Sequence, residues 1–416
     1  MEDMIMGQTE RVKAKPKFER TYKILEYLKK NTDSEHPTTR AKIYKDDTMK
    51  EYVRDKGTFN RTIKEMARTL NADEDAGYKP ESEWKIIFDD FKKRYGDEID
   101  ESELDAEDLD VDFDEDKNMR MEGLYYQRTF SYDEINDLID GIWANRTLDS
   151  ESAEKLSQKV EEHLTTNFYK RGFKQICKIQ EPQLVDRVQL KDNMKTIQRA
   201  IDNNVQISFQ FNGYTLQKSL APVRRKRDLV SPYYIVADGG RYYLLACKKV
   251  TKYDGTVEQA MSVWRIDLMT DVEIPADKKK SQIQEIKRIP KRDVKNLPLE
   301  WSEDFHLSHM NMAYDKPINI KLRVSEPDWA DNPKKDARAG YTFLHDYFGD
   351  TFRHVKKEQT EPFGDIVSVK CSPYAMANWA LQFSDRVEVL EPKEVRDEVI
   401  KKVQRLNKKY GVQSGD

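Results

Sequence analysis

The chain has 416 residues, 38% hydrophobic and 36% charged, with a formal net charge of −4, a length that predicts two to four domains each able to bury a core. No run approaches the ~18 apolar residues of a membrane span, and the first residues lack the apolar centre of a signal peptide, so the cytoplasm is the expected setting. Cys177, Cys247 and Cys371 are far apart and odd in number, and the 6 histidines show no ligand spacing, which excludes a disulfide framework and a zinc motif.

The modest net charge conceals an asymmetry. Residues 1–71 hold 17 basic and 12 acidic side chains, residues 72–118 hold 6 and 20, and the remainder holds 49 and 44. One acidic block therefore masks two basic regions, and binding depends on where charge sits rather than on its sum.

In chain order, KFERTYKILEYLKKN (17–31) spaces Phe18, Tyr22, Leu25 and Leu28 as one face of an amphipathic helix. One or two short helices follow over 38–55. Gly57-Thr58 then opens FNRTIKEMARTLN, with Thr58 as the expected cap, Phe59, Ile63, Met66 and Leu70 as the buried stripe, and Arg61, Lys64 and Arg68 on a neighbouring face. Three helices within 55 residues, the last with a basic outer stripe, form a helix-turn-helix pattern, and Thr58, Asn60, Arg61, Lys64 and Arg68 are the candidate DNA contacts.

Residues 72–118 read as an insertion. Its first half, ESEWKIIFDDFKKRYG, predicts a helix on Trp84, Ile87, Phe88 and Phe91; its second half, 97–116, carries 13 acids and no base, the pattern of a self-repelling tract. Asp110, Asp112 and Asp114 have the first spacings of a calcium loop, but Glu115 and Met121 stand where Gly and Glu are needed, so an EF-hand is rejected. Ser131-x-x-Glu134 is a capping box opening a helix with Ile135, Leu138, Ile139, Ile142 and Trp143 on its apolar side. A second helix, 150–164, offers Ala153, Leu156, Val160 and Leu164. The pair reads as a helical connector over 131–190, and 190–203 as one more helix.

Between 205 and 274 three turn dipeptides, Asn212-Gly213, Asp238-Gly239 and Asp254-Gly255, separate strand-like runs: VQISFQF, TLQKSLA, VSPYYIV, RYYLLAC, VEQAMSVWRI and MTDVEI. Short strands joined by tight turns predict an antiparallel meander curled into a small barrel. Four bases, Arg224, Arg225, Lys226 and Arg227, crowd one loop, and Arg241 and Arg265 lie on strands nearby. Arginine suits phosphate because its planar fork donates two hydrogen bonds, and Tyr234, Tyr242 and Tyr243 could stack on bases. The candidate ligand contacts are Ser208, Arg224, Arg225, Arg227, Tyr234, Arg241, Tyr243, Arg265 and Asp267. Residues 277–315 read as a basic, proline-bounded linker, and 316–416 as strands alternating with helices in a small α+β sandwich.

These runs also carry a family likeness. RYYLLAC, preceded by Pro222 and VSPYYIVADGG and followed by SVWRIDL, resembles the WYL domain of bacterial transcription regulators. Tyr243 and Leu244 match its naming triplet, with Tyr242 in place of Trp; Arg265 and Asp267 match the following motif, with Leu268 where a second Arg is usual. Arg61, Thr62, Ile63 and Leu70 are similar to the third helix of the winged helix-turn-helix that begins such regulators, with Glu65 departing, and GLYYQRTFS (123–131) looks like a wing strand. Trp379, Phe383, Val387, Val389, Leu390, Pro392 and Arg396 match the family's C-terminal extension, with Ser384 in place of Gly.

The resemblance implies an α+β multidomain chain: a winged helix-turn-helix (1–130), the connector, an Sm-like or SH3-like barrel with a basic groove (191–276), and a C-terminal α+β sandwich (316–416) that supports dimerisation. It implies a homodimeric regulator that binds a double-stranded DNA operator and senses a nucleic-acid or nucleotide-like ligand, RNA or single-stranded DNA, in the barrel. The alternative is an RNA or single-strand binding accessory protein working through the barrel, for example beside an RNA-guided nuclease. No hydrolase, kinase, metalloprotease or dinucleotide motif is present, so neither an enzyme nor a cofactor is expected, and no membrane partner.

Overall fold

The computed structural model describes residues 15–73, 77–96, 120–171, 186–251, 253–277, 284–325, 340–358 and 364–411. The acidic tract 97–116, with its Asp110, Asp112 and Asp114 series, and Cys177 lie outside the described residues. The chain divides into two compact units, residues 1–183 and 184–416. Helices and antiparallel sheets are mixed throughout, and among the described residues no helix is long and apolar enough to cross a membrane.

The first unit runs α1 (Lys17–Asn31), α2 (Arg40–Ile43), α3 (Lys56–Asn71), β1 (Ala72–Asp73), β2 (Gly77–Tyr78), β3 (Ile86–Ile87), α4 (Asp89–Tyr95), β4 (Tyr125–Tyr126), α5 (Tyr132–Ala144) and α6 (Ser150–Leu164). On α1 the buried face is Ile24 and Leu28, while Phe18 and Tyr22 of the expected stripe stand exposed. Helix α3 buries Phe59, Ile63 and Met66 as read, but it starts two residues before Thr58: Asp55 caps it, accepting from Thr58 N at 2.6 Å.

Residues read as an insertion contribute to this core. Trp84, Ile86, Ile87, Phe88 and Phe91 pack with Ile24, Leu28, Phe59 and Ile63. The stretch is not one helix: Ile86 and Ile87 pair with Tyr126 and Tyr125, and only Asp89–Tyr95 is helical. Fully buried Asn71 fastens the pair to the end of α3, donating to Ile86 O at 2.8 Å and accepting from Lys85 N at 2.7 Å and Ile86 N at 3.2 Å. Asn71→Leu keeps the volume and strands buried backbone groups, so the unit should lose about 1–3 kcal/mol in urea unfolding. A loss under about 0.5 kcal/mol would mean that water satisfies them.

The capping box at Ser131 and Glu134 is present, and α5 buries Ile135 and Ile139. The face of α6 is smaller than its leucines suggest: Ala153 and Ser157 are buried, whereas Leu156 on α6 and Leu138 on α5 are exposed. Tyr132 Oη reaches Asp33 Oδ2 at 2.9 Å and Thr166 Oγ1 at 2.5 Å, and Asn167 N donates to Lys30 O at 2.8 Å. These bonds tie the helical pair to the end of α1, within the first unit.

The second unit opens with α7 (Arg187–Asp202), then β5 (Ile207–Tyr214), β6 (Leu220–Pro222), β7 (Asp228–Asp238), β8 (Arg241–Thr251), β9 (Val257–Arg265) and β10 (Met269–Glu273). They form a curled antiparallel sheet ordered β10-β5-β7-β8-β9, with β6 on β5. No ladder joins β9 to β10 among the described residues, so the curl is not sealed into a ring. Leu190, Ile197 and Ala200 of α7 fill its concave side with Ile207, Phe209, Leu244 and Trp264.

Asn212-Gly213 is not a turn. Both residues lie in β5, and buried Asn212 donates to Leu268 O and Thr270 Oγ1 at 3.1 Å each. The chain reverses instead at Thr215–Ser219, where Lys218 takes φ 63°. Gly239 and Gly240, at φ 53° and 74°, make the β7–β8 turn, the positive pair that a two-residue hairpin loop requires.

After β11 (Ala276–Asp277) and β12 (Gln284–Glu285), the stretch read as a linker packs on the sheet through Ile289, Val294 and Leu297. Then come α8 (Phe305–Ser308), β13 (Ile318–Val324), α9 (Thr342–Phe348), β14 (Arg353–Glu358), β15 (Gly364–Cys371), α10 (Pro373–Gln382), β16 (Val387–Glu391) and α11 (Lys393–Tyr410). The sheet is ordered β14-β15-β13-β16, and Trp379, Ala380 and Val395 cover Ile320, Leu322 and Val367. On α11 only the start of the expected stripe is covered: Val395 is buried, Val403 and Leu406 exposed.

Buried His309 lies 2.9 Å from Phe305 O through Nδ1 and stacks on Phe305 at 3.9 Å. Burial pushes its imidazole below the ordinary 6.5 despite that hydrogen bond. In the unfolded chain the ring binds a proton near 6.5 while the folded one still refuses it, so stability is lost as pH falls below that value. The denaturation midpoint should drop between about pH 7 and 5, and His309→Gln should flatten the drop; an equal drop in both proteins would contradict this.

Candidate nucleic-acid interface

Helix α3 turns Phe59, Ile63 and Met66 inward and so places its polar residues outside. Of the candidate DNA contacts, Arg61 is exposed, whereas Thr58, Asn60, Lys64 and Arg68 are half-buried. Burial, and then the neighbouring charge of Arg68, hold the Lys64 ammonium below its usual range. The part of this that comes from Arg68, a cation beside a cation, is the kind of repulsion that an anion laid across both relieves. The antiparallel β3·β4 pair packs in the same core as this helix.

The second-unit candidates are not brought together at one point. They fall into separate clusters, each with its own counter-groups. Arg227 is a clamp on β5 and β10: Nε donates to Ser208 Oγ at 3.1 Å, and Nη2 to Ser208 O at 3.2 Å, Asp271 O at 2.6 Å and Glu273 Oε1 at 3.0 Å. This pins the register shift of β10, where Asp271 has φ 55°.

Arg265 forms a two-point pair with Asp267, whose side chain is 5% exposed, 3.1 Å from Nε to Oδ1 and 2.5 Å from Nη2 to Oδ2. The Asp267 hydrogen bond raises the guanidinium's pKa further. Tyr243 stands opposite Arg265 in the β8·β9 ladder, and the arginine is one-third exposed. Asp267 thus positions Arg265 and leaves part of the guanidinium open to solvent. Tyr242 and Tyr243 alternate as expected and are both half-buried, Tyr242 toward the α7 side and Tyr243 toward the 289–312 side.

Tyr234 is committed elsewhere. Its hydroxyl donates toward the Pro298 and Leu299 carbonyls at 3.1 and 3.0 Å, accepts from Lys291 Nζ at 2.8 Å, and its ring meets Trp301 at 5.6 Å. Arg241 is half-buried at the β7–β8 turn, and Arg225 is exposed in its loop.

Arg224 belongs to the last cluster, with three residues that the sequence did not single out. Its Nε lies 3.0 Å from Asp228 Oδ2, and Lys248 Nζ lies 2.5 Å from Oδ1 of the same carboxylate, which is almost fully buried. Both cations lie over Trp264, at 5.6 and 5.8 Å from a ring centroid, and Trp264 Nε1 donates to Ser262 Oγ at 2.8 Å. Lys248 and Trp264 were hidden because only the β8·β9 register places them beside a loop more than 20 residues upstream.

Residues 316–406 match the WCX domain family. Among solved structures the chain is similar to proteasome accessory factor B/C (PafBC) of Arthrobacter aurescens, with 14% identity and a TM-score of 0.23 over 66% of this chain and 37% of that one. It is also similar to a CRISPR Cas-related protein, with 14% identity and a TM-score of 0.31 over 95% of this chain and 92% of that one. The match thus spans little more than a third of the length of the first of these chains. No curated protein matches the sequence.

Proposed function

We propose that the protein is a WYL-type transcriptional regulator, not an enzyme, in which α3 reads duplex DNA and the curled sheet senses a nucleic-acid or nucleotide-like anion. The observation that carries the DNA reading is α3 itself: a helix with its apolar side sunk in a core and Arg61, Lys64 and Arg68 on its outer side. The WCX match over 316–406 supports the family assignment. The one-third-exposed guanidinium of Arg265, held by the Asp267 carboxylate, supports anion sensing.

A two-fold homodimer would set two copies of α3 into successive major grooves, so the operator should be a palindrome with half-sites about 34–36 Å apart or a multiple. Ligand capture by the sheet would shift the dimer between geometries that fit or miss that spacing. Alanine at Arg61, Lys64 and Arg68 separates this reading from a single-strand binding role: duplex binding disappears under the first and strand binding persists under the second.

A further inference from the structure

A groove of about 730 Å³ beside β9 is lined by Arg224, Lys248, Lys295, Tyr314 and Lys316, with Glu258 on its wall. Its four basic side chains come from four segments brought together only by folding. Backbone bonds from Lys295 N to Gln259 O and from Met261 N to Lys295 O, both 2.9 Å, stitch residue 295 along β9 as a parallel bridge. Asp315, also on the lining, is engaged at the start of α10, accepting from Ser372 Oγ and from Tyr374 N at 3.1 Å. It fixes the backbone between Tyr314 and Lys316 while its own carboxylate is taken up.

Charge on this surface is not balanced locally. Asp228 answers Arg224 and Lys248 from beneath, but among the described residues neither Lys295 nor Lys316 has an ion-pair partner. Both are exposed at the groove. The segment leading to Tyr314 is strained: Asn311 and buried Met312 both take the left-handed conformation, at φ 53° and 58°, which a methionine adopts only where the surroundings impose it. Tyr314 is held 55% exposed beside the two lysines.

We propose that this groove binds the phosphates of a nucleotide or single nucleic-acid strand, with Lys295, Lys316 and Arg224 taking the anionic oxygens and Tyr314 stacking on a base. The proposal rests on the reading that the second unit senses a nucleic-acid-like anion, and it places that ligand on residues outside the Arg265 cluster. A mononucleotide and a strand share the phosphate chemistry.

The test uses the full chain carrying Arg61→Ala, Lys64→Ala and Arg68→Ala, so that capture by α3 does not contribute. Fluorescein-labelled dT12 is titrated by anisotropy, alone and against inorganic pyrophosphate. Adding Lys295→Ala and Lys316→Ala should weaken dT12 at least tenfold and make the salt slope shallower by about 1.4, some 0.7 per strand contact, with an unchanged melting temperature. Tyr314→Ala should weaken dT12 roughly tenfold, and leave pyrophosphate competition intact. Pyrophosphate binding without dT12 binding, lost with the two lysines, would support a small phosphate ligand in the same groove. Unchanged affinity for both probes after lysine removal overturns the groove and leaves sensing elsewhere on the sheet; a parent chain that binds neither probe overturns both.

Discussion

Trp379→Ala should cost the second unit about 3–5 kcal/mol, the range for deleting a large buried aromatic. Trp379 is 2% exposed, and Phe343, Tyr347, Phe348 and Phe383 surround it with ring centroids 5.1–5.9 Å away. It stands on α10 and packs in one cluster with residues of α9 and of the sheet, so its loss removes the shared wall of several elements rather than one contact. Collapse of the cavity is resisted because the neighbouring rings are themselves locked against one another. Guanidinium unfolding followed by circular dichroism measures the loss, and Trp379→Phe should recover more than half of it. A change below about 1 kcal/mol for alanine would mean that the C-terminal sheet does not depend on this cluster.

Joint replacement of Arg61, Lys64 and Arg68 by alanine should remove specific duplex binding and make the salt slope shallower by about 2.7, some 0.9 for each lost phosphate contact. The side chains lie on the outer side of α3, away from Phe59, Ile63 and Met66, so the fold should survive. Burial, and then Arg68, hold the Lys64 ammonium below the usual lysine range. Lys64→Ala alone should therefore weaken binding less at alkaline pH than at neutral pH, because the side chain gives up its charge earlier than an ordinary lysine. Full duplex affinity in the triple variant would rule out α3 as the reading element.

Much of this arrangement was legible in the chain because it is written in local periodicity. The stripe of Phe59, Ile63 and Met66 on α3, the capping box before α5 and the alternation at the start of β5 are all short-range signals, and the structure carries each. Local signals failed where tertiary partners decide. Asp55 outcompetes Thr58 as cap because it sits at the first helical boundary with its oxygen free to take the Thr58 N–H. Asn212 is drawn from a turn into β5 by buried carbonyl and hydroxyl partners 56 and 58 residues away.

The edge strand β14 is polar on both faces and exposed along most of its length, so it offers no alternation to detect. The candidate site was the least legible part. A list of arginines near one sheet says nothing of which carboxylate each will meet, and the structure commits Arg227 to Glu273, Arg265 to Asp267 and Arg224 to Asp228. The lysines at 295 and 316 belong to stretches whose composition gave a linker and a strand boundary.

DNA reading by α3 is tested most directly by anisotropy of the full-length chain on the duplex upstream of its own gene and on a mixed single-stranded RNA, each at about 50 and 200 mM salt. The expected result is tight duplex binding that needs a palindrome, falls steeply with salt and exceeds RNA binding at both concentrations. Preference for the RNA, or duplex binding indifferent to the palindrome, would contradict it and make the curled sheet the working surface.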